Sequence, residues 1–278
     1  MQTYDWGSYS TVIDLHSHIL PGIDDGAPDI EASLAIARMA VEDGIKVMAA
    51  TPHFMPGVYD NEANDVRARV AHLQDALQQS GIPLQLVTGC DAHIRPDFAA
   101  CLREGKILTI NDTRYVLFEP PHITMPQRMD ELLFNVLASG FVPILTHPER
   151  LRWIENSYAM MVQLVKQGVL MQITCGSLTG RFGQRPQYWA KRMMAEGMVH
   201  ILATDTHDTK KRPPSMANGF DIATSELGLE EAKNLVLIRP AMILDNLPVD
   251  QLPPVAVHKS NSPVKQESLF KRLFGMVR

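Results

Sequence analysis

Short apolar runs rich in Val, Ile and Leu alternate along the chain with stretches whose apolar positions recur every three or four residues. The runs are typical of buried strands, and the three-or-four spacing predicts amphipathic helices. The strand segments are TVIDLHSH, IKVMAATPH, LQLVTGCDAH, YVLFEPPH, FVPILTHPER, VLMQITCG and VHILATDTH. Strands that alternate with helices in this way predict a parallel α/β architecture, either a closed barrel or an open doubly wound sheet.

The first helix is predicted over residues 29–43, where Ile30, Leu34, Ala37 and Val41 share one face before Gly44 ends the pattern. Further helices are predicted near residues 61–80, 126–139, 157–167 and 187–196.

Polar side chains able to bind metals or substrates end all but one of the predicted strands. They are His16 and His18, His53, Asp91 and His93, Glu119 and His122, His147, and Asp205 and His207. A β/α barrel gathers the ends of many strands at one mouth, whereas an open sheet binds ligands at a single switch point. The distribution therefore favours a seven-stranded barrel.

Composition and charge narrow the class of protein. With 278 residues, 45% of them hydrophobic, the chain can bury one large core, and its net charge of −5 argues against a nucleic-acid-binding body. The N-terminal residues lack a signal-peptide pattern, and no apolar stretch approaches the roughly 18 residues that a spanning helix needs. Three cysteines without a C-x-x-C pair predict reduced thiols. We therefore expect a cytoplasmic globular protein. The sequence has no G-x-G-x-x-G or G-x-x-x-x-G-K motif, so we expect no nucleotide cofactor.

The histidines and carboxylates together form a set of ligands suited to Mn²⁺, Zn²⁺ or Fe. Successive side chains of a strand point to opposite faces, so the two histidines of the H-x-H motif, His16 and His18, lie on the same face and can bind one ion. A single histidine at a strand end is more often an ordinary hydrogen-bonded boundary residue. However, at least five of the ten histidines lie at strand ends beside carboxylates, and the ordinary interpretation would make this a coincidence.

The ordered motifs H-x-H, DDG, T-P-H, an acidic residue after a glycine on strand three, a carboxylate on strand four, T-H-P-E-R and D-x-H resemble the PHP (polymerase and histidinol phosphatase) superfamily. The agreement is closest with its bacterial capsule- and exopolysaccharide-associated tyrosine phosphatases and covers about residues 12 to 246. The resemblance implies a distorted β/α barrel that holds three divalent ions, with Mn²⁺ preferred and Fe or Zn²⁺ as alternatives.

The resemblance assigns each ligand to an ion. His16, His18 and Asp205 would hold the first ion; Glu119 and His147 the second; and Asp25, His53 and His207 the third. The bridge between the first two ions falls on Asp91, where most relatives have the longer Glu.

The resemblance also implies hydrolysis of phosphotyrosine on a bacterial tyrosine kinase, with control of capsule or exopolysaccharide synthesis. Paired ions would generate the attacking hydroxide. Arg150, Arg212 and His207 would be catalytic, although Arg212 lies in a KKRPP run that is equally typical of a solvated surface. The alternatives are a histidinol-phosphate or other small-molecule phosphoesterase, and a regulatory binding module with weak catalysis.

The stretch CGSLTGR matches the C-x5-R spacing of cysteine-dependent tyrosine phosphatases, with Cys175 and Arg181 at its ends. No histidine precedes Cys175, and Phe182 replaces the usual Ser or Thr after the arginine. The segment instead resembles the S-L-x-G stretch of the metal-dependent relatives, so we expect no cysteine nucleophile.

Two regions are predicted: a phosphatase barrel over residues 1–250 and a linker with a basic amphipathic tail over residues 251–278. In the tail Leu269, Leu273 and Val277 share a helical face, with Phe270 and Phe274 beside them. Positive charge comes from Lys271, Arg272 and Arg278. Such a helix can contact an anionic membrane at the inner leaflet or a partner. A frayed end, or a helix packed on its own barrel, is the alternative.

Overall fold

The structure, a computed structural model, describes residues 11–256. Its strands are β1 (Val12–Ser17), β2 (Ile45–Ala50), β3 (His53–Phe54), β4 (Gln85–Thr88), β5 (Asp91–His93), β6 (Tyr115–Glu119), β7 (Val142–Thr146), β8 (Leu170–Thr174) and β9 (Ile201–Ala203). Neighbouring strands are all paired in parallel, in the orders β1-β2-β4 and β3-β5-β6-β7-β8-β9.

The two runs of strands form one ring. Only Thr51 and Pro52 separate β2 from β3, and only Gly89 and Cys90 separate β4 from β5, so each pair is one interrupted strand. β9 returns to β1 through a parallel bridge between Ser17 and Thr206. The predicted seven-stranded β/α barrel is confirmed, and the two interruptions distort it.

Ten α-helices lie within residues 11–256. They are α1 (Ile30–Glu42), α2 (Ala63–Gln79), α3 (Phe98–Arg103), α4 (Met129–Ala138), α5 (Ile154–Lys166), α6 (Cys175–Leu178), α7 (Gln184–Ala195), α8 (Met216–Leu227), α9 (Leu229–Lys233) and α10 (Arg239–Leu244). A π-helix at Asn234–Ile238 joins α9 to α10. Short 3₁₀ turns occupy Ile110–Asp112, Pro148–Arg150 and Val249–Gln251.

The predicted first helix is confirmed as α1, and its cap, buried face and terminal glycine explain why it forms there. The Asp29 side chain caps its N-terminus by accepting from the Ala32 N–H at 2.9 Å. Leu34 and Ala37 are buried on the predicted face, and Gly44 adopts φ 100° just beyond the end, a conformation that favours glycine. Helices α2, α4, α5 and α7 cover the other predicted segments, whereas α3, α6 and α8 to α10 were not predicted.

Apolar side chains pack in two layers. The larger cluster joins the outward positions of the strands to the helices and includes Val116, Phe118 and Trp189. The smaller cluster collects the intervening strand positions, such as Tyr115 and Leu117. Residues of one strand thus alternate between two cores, as expected for a barrel surrounded by helices.

The chain stays packed on the barrel slightly beyond the predicted boundary at residue 250. The buried Arg239 pairs with Glu231 at 2.8 Å and donates to the carbonyls of Pro253 and Pro254 at 2.9 and 2.8 Å. From residue 257 onward, the predicted linker and amphipathic tail lie outside the described residues. Across residues 11–256, helices are too short or too polar to cross a bilayer.

The buried His200 makes the folding stability of the protein depend on pH. The Met171 N–H donates to Nδ1 of His200 at 3.1 Å. Burial, assisted by the charge of Arg239, lowers the pKa of His200 from 6.5 to about 3. The unfolded chain therefore binds a proton below pH 6.5 that the folded chain does not bind until about pH 3. Folding stability contributed by this group is thus lost as the pH falls through that window.

We expect the unfolding free energy to drop between pH 6.5 and pH 5 by about 1.5 kcal/mol more in the parent protein than in His200→Gln. Urea titrations at both pH values measure the difference. The exposed His72→Gln variant is the control and should follow the parent. Identical losses in the parent and His200→Gln would contradict the prediction.

Candidate metal centre

The nine predicted ligands lie at or just beyond the C-terminal ends of barrel strands or on the turn after β1, and the structure brings all of them together. His16, His53, Asp91 and Glu119 belong to strands, His18 follows β1 directly, His147 follows β7, and Asp205 and His207 follow β9. Asp25 lies on the turn after β1. All of them except Asp25, Glu119 and His53 are buried.

Strand β1 reaches the cluster through a bulge and a tight turn. Between Asp14 and Ser17 it advances one residue more than β2, a bulge of the kind that re-aims side chains at active sites. After His18 the chain turns through DDG, and a Cβ on Gly26 would lie 2.1 Å from the His18 carbonyl oxygen. Only glycine therefore allows this close return.

The first predicted group is close-packed and buried. Nε2 of His16 lies 3.2 Å from Nε2 of His18, and each lies 3.5 Å from Oδ1 of Asp205. Burial opposes protonation of His16, yet the carboxylates of Asp91 and Asp205 raise its pKa to about 9. A bound cation would replace that proton, because metal binding and protonation compete for the same lone pair.

The second group contains a residue that the ligand assignment missed. Nε2 of His147 lies 3.6 Å from Oε1 of Glu119, and Nε2 of His122 lies 3.3 Å from the same oxygen. Burial and the charge of Arg150 hold the pKa of His147 well below its usual range, so the ring is neutral and able to bind metal. His122 ends a predicted strand, and that position was its only signal in the sequence.

The third group surrounds Asp25. Its Oδ1 lies 3.4 Å from Nε2 of His53 and 3.4 Å from Nε2 of His207. His18 also offers a donor atom to this group, all within 4.8 Å of one another. Burial and the charge of His18 lower the pKa of His207 to about 4.

Asp91 lies between the groups. Its Oδ2 is 3.4 Å from Nε2 of His16, 3.8 Å from Nδ1 of His53 and 4.0 Å from Nε2 of His147. This central position agrees with the predicted bridging role.

Several buried polar atoms in the cluster have no hydrogen-bond partner within residues 11–256. They include both carboxylate oxygens of Asp91, Oδ1 of Asp205 and Nε2 of His207 and of His122. A buried polar atom without a partner costs about 1–3 kcal/mol. Cations among these convergent oxygens and nitrogens would remove that cost, so the residues fit a set of divalent ions.

Two further side chains orient the histidines. Oδ2 of Asp24 accepts from Nδ1 of His18 at 2.8 Å and from the His53 N–H at 3.1 Å. Oε1 of Gln172 lies 2.9 Å from Nδ1 of His16. Such contacts direct Nε2 toward the cluster. Asp24 is visible in the DDG motif, whereas nothing in the sequence marks Gln172.

Both predicted arginines converge on one carboxylate oxygen. Nη1 of Arg150 lies 2.6 Å from Oδ2 of Asp205, and Nη2 of Arg212 donates to the same oxygen. The guanidinium of Arg150 also lies 4.5 Å from the ring centroid of Phe182. Arg212 is therefore at the mouth of the barrel, not on a solvated surface.

Two of the nine predicted ligands have unusual backbone conformations. His147 adopts φ 35° and Asp205 adopts φ 52°, in the left-handed region that residues other than glycine rarely enter. Backbone strain of this kind concentrates at functional sites.

The C-x5-R segment does not form a nucleophile loop. Cys175 is buried, with its Sγ 3.5 Å from Sδ of Met216. Burial and the nearby carboxylates of Asp14 and Asp43 raise the pKa of the Cys175 thiol well above its usual range. Arg181 is exposed and donates to the carbonyls of Lys210 and Lys211.

Comparison with known proteins identifies one matching family and several similar tyrosine phosphatases. The family described as "Capsular polysaccharide synthesis, CpsB/CapC" matches residues 12–245. The tyrosine-protein phosphatase YwqE of Bacillus subtilis (strain 168) is 34% identical over 259 residues, which cover 93% of this chain and 99% of YwqE. The tyrosine-protein phosphatase CpsB of Streptococcus pneumoniae is 27% identical over 246 residues, 87% of this chain and all of CpsB.

A solved structure is also similar. It comes from a study of YwqE from B. subtilis and CpsB from S. pneumoniae, which describes them as unique metal-dependent tyrosine phosphatases. The superposition has a TM-score of 0.81 at 33% identity and covers 88% of this chain and 99% of the other.

Proposed function

The chain belongs to the CpsB/CapC family of capsular polysaccharide synthesis proteins, and we propose that it is a metal-dependent phosphatase that hydrolyses phosphotyrosine. The observation that carries the proposal is the convergence of five histidines and four carboxylates at one barrel mouth, with two arginines beside them. This combination supplies a place for metal ions and a place for a phosphoryl group within one site.

We assign three divalent ions to the mouth, with Mn²⁺ preferred and Fe or Zn²⁺ as alternatives. His16, His18 and Asp205 would hold the first, Glu119 and His147 the second, and Asp25, His53 and His207 the third, with Asp91 between the first two. The short distances within each group, together with the unpartnered buried oxygens, support the assignment. Ions held there would supply the activated nucleophile and the charge stabilisation that hydrolysis at phosphorus requires.

The arginines would bind and orient the phosphoryl group. A planar guanidinium can bind two phosphate oxygens at once, which the ammonium of lysine cannot do. Arg150 and Arg212 approach the cluster from the β7 and β9 sides and meet at Asp205. His207, between Asp25 and His18, contributes a neutral imidazole at the reacting centre.

The substrate protein in this proposal is a phosphorylated bacterial tyrosine kinase of capsule or exopolysaccharide synthesis, in the cytoplasm. The CpsB/CapC family and the phosphatase relatives support the pathway and the phosphotyrosine substrate. Contact with the inner face of the membrane through residues 251–278 stays a prediction from the sequence.

Asp91 provides a test of the metal assignment. We expect Asp91→Ala to lose at least one ion, because its Oδ2 lies among three histidines, whereas Asp91→Glu keeps or raises metal occupancy by lengthening the bridge. Elemental measurement of metal per chain distinguishes them, with the exposed Asp75→Ala as control. Full metal content in Asp91→Ala would show that Asp91 is no ligand.

Turnover tests the function itself. With Mn²⁺ present, we expect hydrolysis of a phosphotyrosine peptide with a kcat/KM at least about tenfold above that for histidinol phosphate. Preference for histidinol phosphate would favour a small-molecule phosphoesterase instead. Binding of the phosphopeptide without turnover would make the protein a regulatory binding module.

A further inference from the structure

We propose that His122 is a protein ligand of the second ion, beside Glu119 and His147. The proposal rests on the metal-dependent function above and adds a residue that the family resemblance does not assign. One donor atom from each of the three side chains lies within 4.8 Å of the other two. Nε2 of His122 is 3.3 Å from Oε1 of Glu119, closer than the 3.6 Å of His147 to that oxygen.

The loop that carries His122 is held in place by its backbone. Strand β6 ends at Glu119. The next two residues are Pro120 and Pro121, and their rings fix the backbone φ angles of this part of the loop. Nε1 of Trp153 donates to the Pro121 carbonyl at 2.9 Å, and the Arg152 N–H donates to the His122 carbonyl at 2.8 Å. The imidazole is therefore presented to the mouth by an anchored loop.

The ring has a free donor atom aimed at the site. The His122 side chain is 34% exposed, yet its Nε2 is buried and has no hydrogen-bond partner within residues 11–256. The ring centroid lies 4.9 Å from that of His147, with the planes at 69°. Two imidazoles and one carboxylate thus point at a common volume from different directions, as ligands of one ion do.

Asp91 explains why this chain needs the extra ligand. Its Oδ2 lies 3.4 Å from Nε2 of His16 but 4.0 Å from Nε2 of His147, so the short carboxylate favours the first group. The Glu that the family resemblance implies at this position would extend the bridge by one methylene toward the second group. Glu119, His122 and His147 together give the second ion three protein ligands of its own, so that it depends less on the distant oxygen of the shared Asp91.

Two neighbours make the test specific. His93 also lies near Glu119, but its Nδ1 is 3.8 Å from Oε2, the other oxygen of that carboxylate, and it does not join the close group. His72 is an exposed histidine on α2. Both serve as alanine controls for the loss of an imidazole.

Metal content after loading with excess Mn²⁺ and dialysis tests the proposal without any substrate. We expect His122→Ala to lose about one ion per chain or to bind one ion at least about tenfold more weakly. His93→Ala and His72→Ala should keep the parent content. Adding Asp91→Glu to His122→Ala should restore the lost ion, which a misfolded variant could not do.

Full occupancy in His122→Ala would overturn the proposal, as would equal losses in His93→Ala or failure of Asp91→Glu to restore the ion. The failures are separable: normal metal content without phosphotyrosine turnover in the parent protein would refute the proposed function and leave the metal assignment standing. Unchanged metal content with slower turnover in His122→Ala would make His122 a proton donor instead of a ligand.

Discussion

A chelator is expected to abolish phosphotyrosine hydrolysis, and Mn²⁺ to restore it, while Cys175→Ser keeps turnover within a few-fold of the parent. The chain has a C-x5-R segment, but the Cys175 thiol is buried and its pKa is raised well above the usual range. A thiol that stays protonated is a poor nucleophile. The nine predicted ligands, by contrast, converge on a mouth that fits divalent ions.

The measurement is turnover of a phosphotyrosine peptide before chelation, after it, and after metal addition. Cys90→Ser is the matched control, because Cys90 is a second buried thiol outside the C-x5-R segment. Thermal unfolding of each variant separates loss of folding from loss of chemistry. An inactive but folded Cys175→Ser variant, together with full activity in chelator, would reverse the assignment to the cysteine mechanism.

Arg150→Lys is expected to lower kcat/KM at least about tenfold, or ~1.4 kcal/mol of transition-state stabilisation, with metal content intact. Lysine keeps the positive charge but loses the planar fork that binds two phosphate oxygens. The ammonium also has no plane to stack on the Phe182 ring, whose centroid lies 4.5 Å from the Arg150 guanidinium. A lower kcat/KM in Arg150→Lys would therefore come from the lost geometry of the guanidinium, because the positive charge is unchanged.

Kinetics on the phosphotyrosine peptide and metal analysis of the same sample check this prediction. Arg192→Lys is the control, since Arg192 lies on α7 and pairs with Glu196 away from the mouth. Unchanged kinetics in Arg150→Lys would remove Arg150 from the phosphate site. A loss of metal in that variant would instead indicate that Arg150 supports Asp205, its partner at 2.6 Å.

Helix α1 could be predicted from the sequence because its signals are local. Apolar periodicity and the glycine after the helix both act within a few residues of it, and the Asp29 cap stabilises its start. The segment after residue 207, where α8, α9, a π-helix and α10 follow one another, was not predicted. Gly228, at φ 89°, ends α8, but α9, the π-helix and α10 follow one another without a break, so their boundaries depend on how they pack against the barrel.

The strand pattern and the polar residues at the strand ends were enough to predict the barrel and the location of its candidate ligands, because parallel strands bring their C-terminal ends to one mouth whatever the details of packing. Which donor atoms face one another follows from the folded chain alone. Gln172 contacts His16 across 156 residues of chain, and Arg212, in a charged run typical of a solvated surface, pairs with Asp205. Spacing along a chain specifies which face of a strand a side chain takes, but distances between strands follow from the closure of the whole ring.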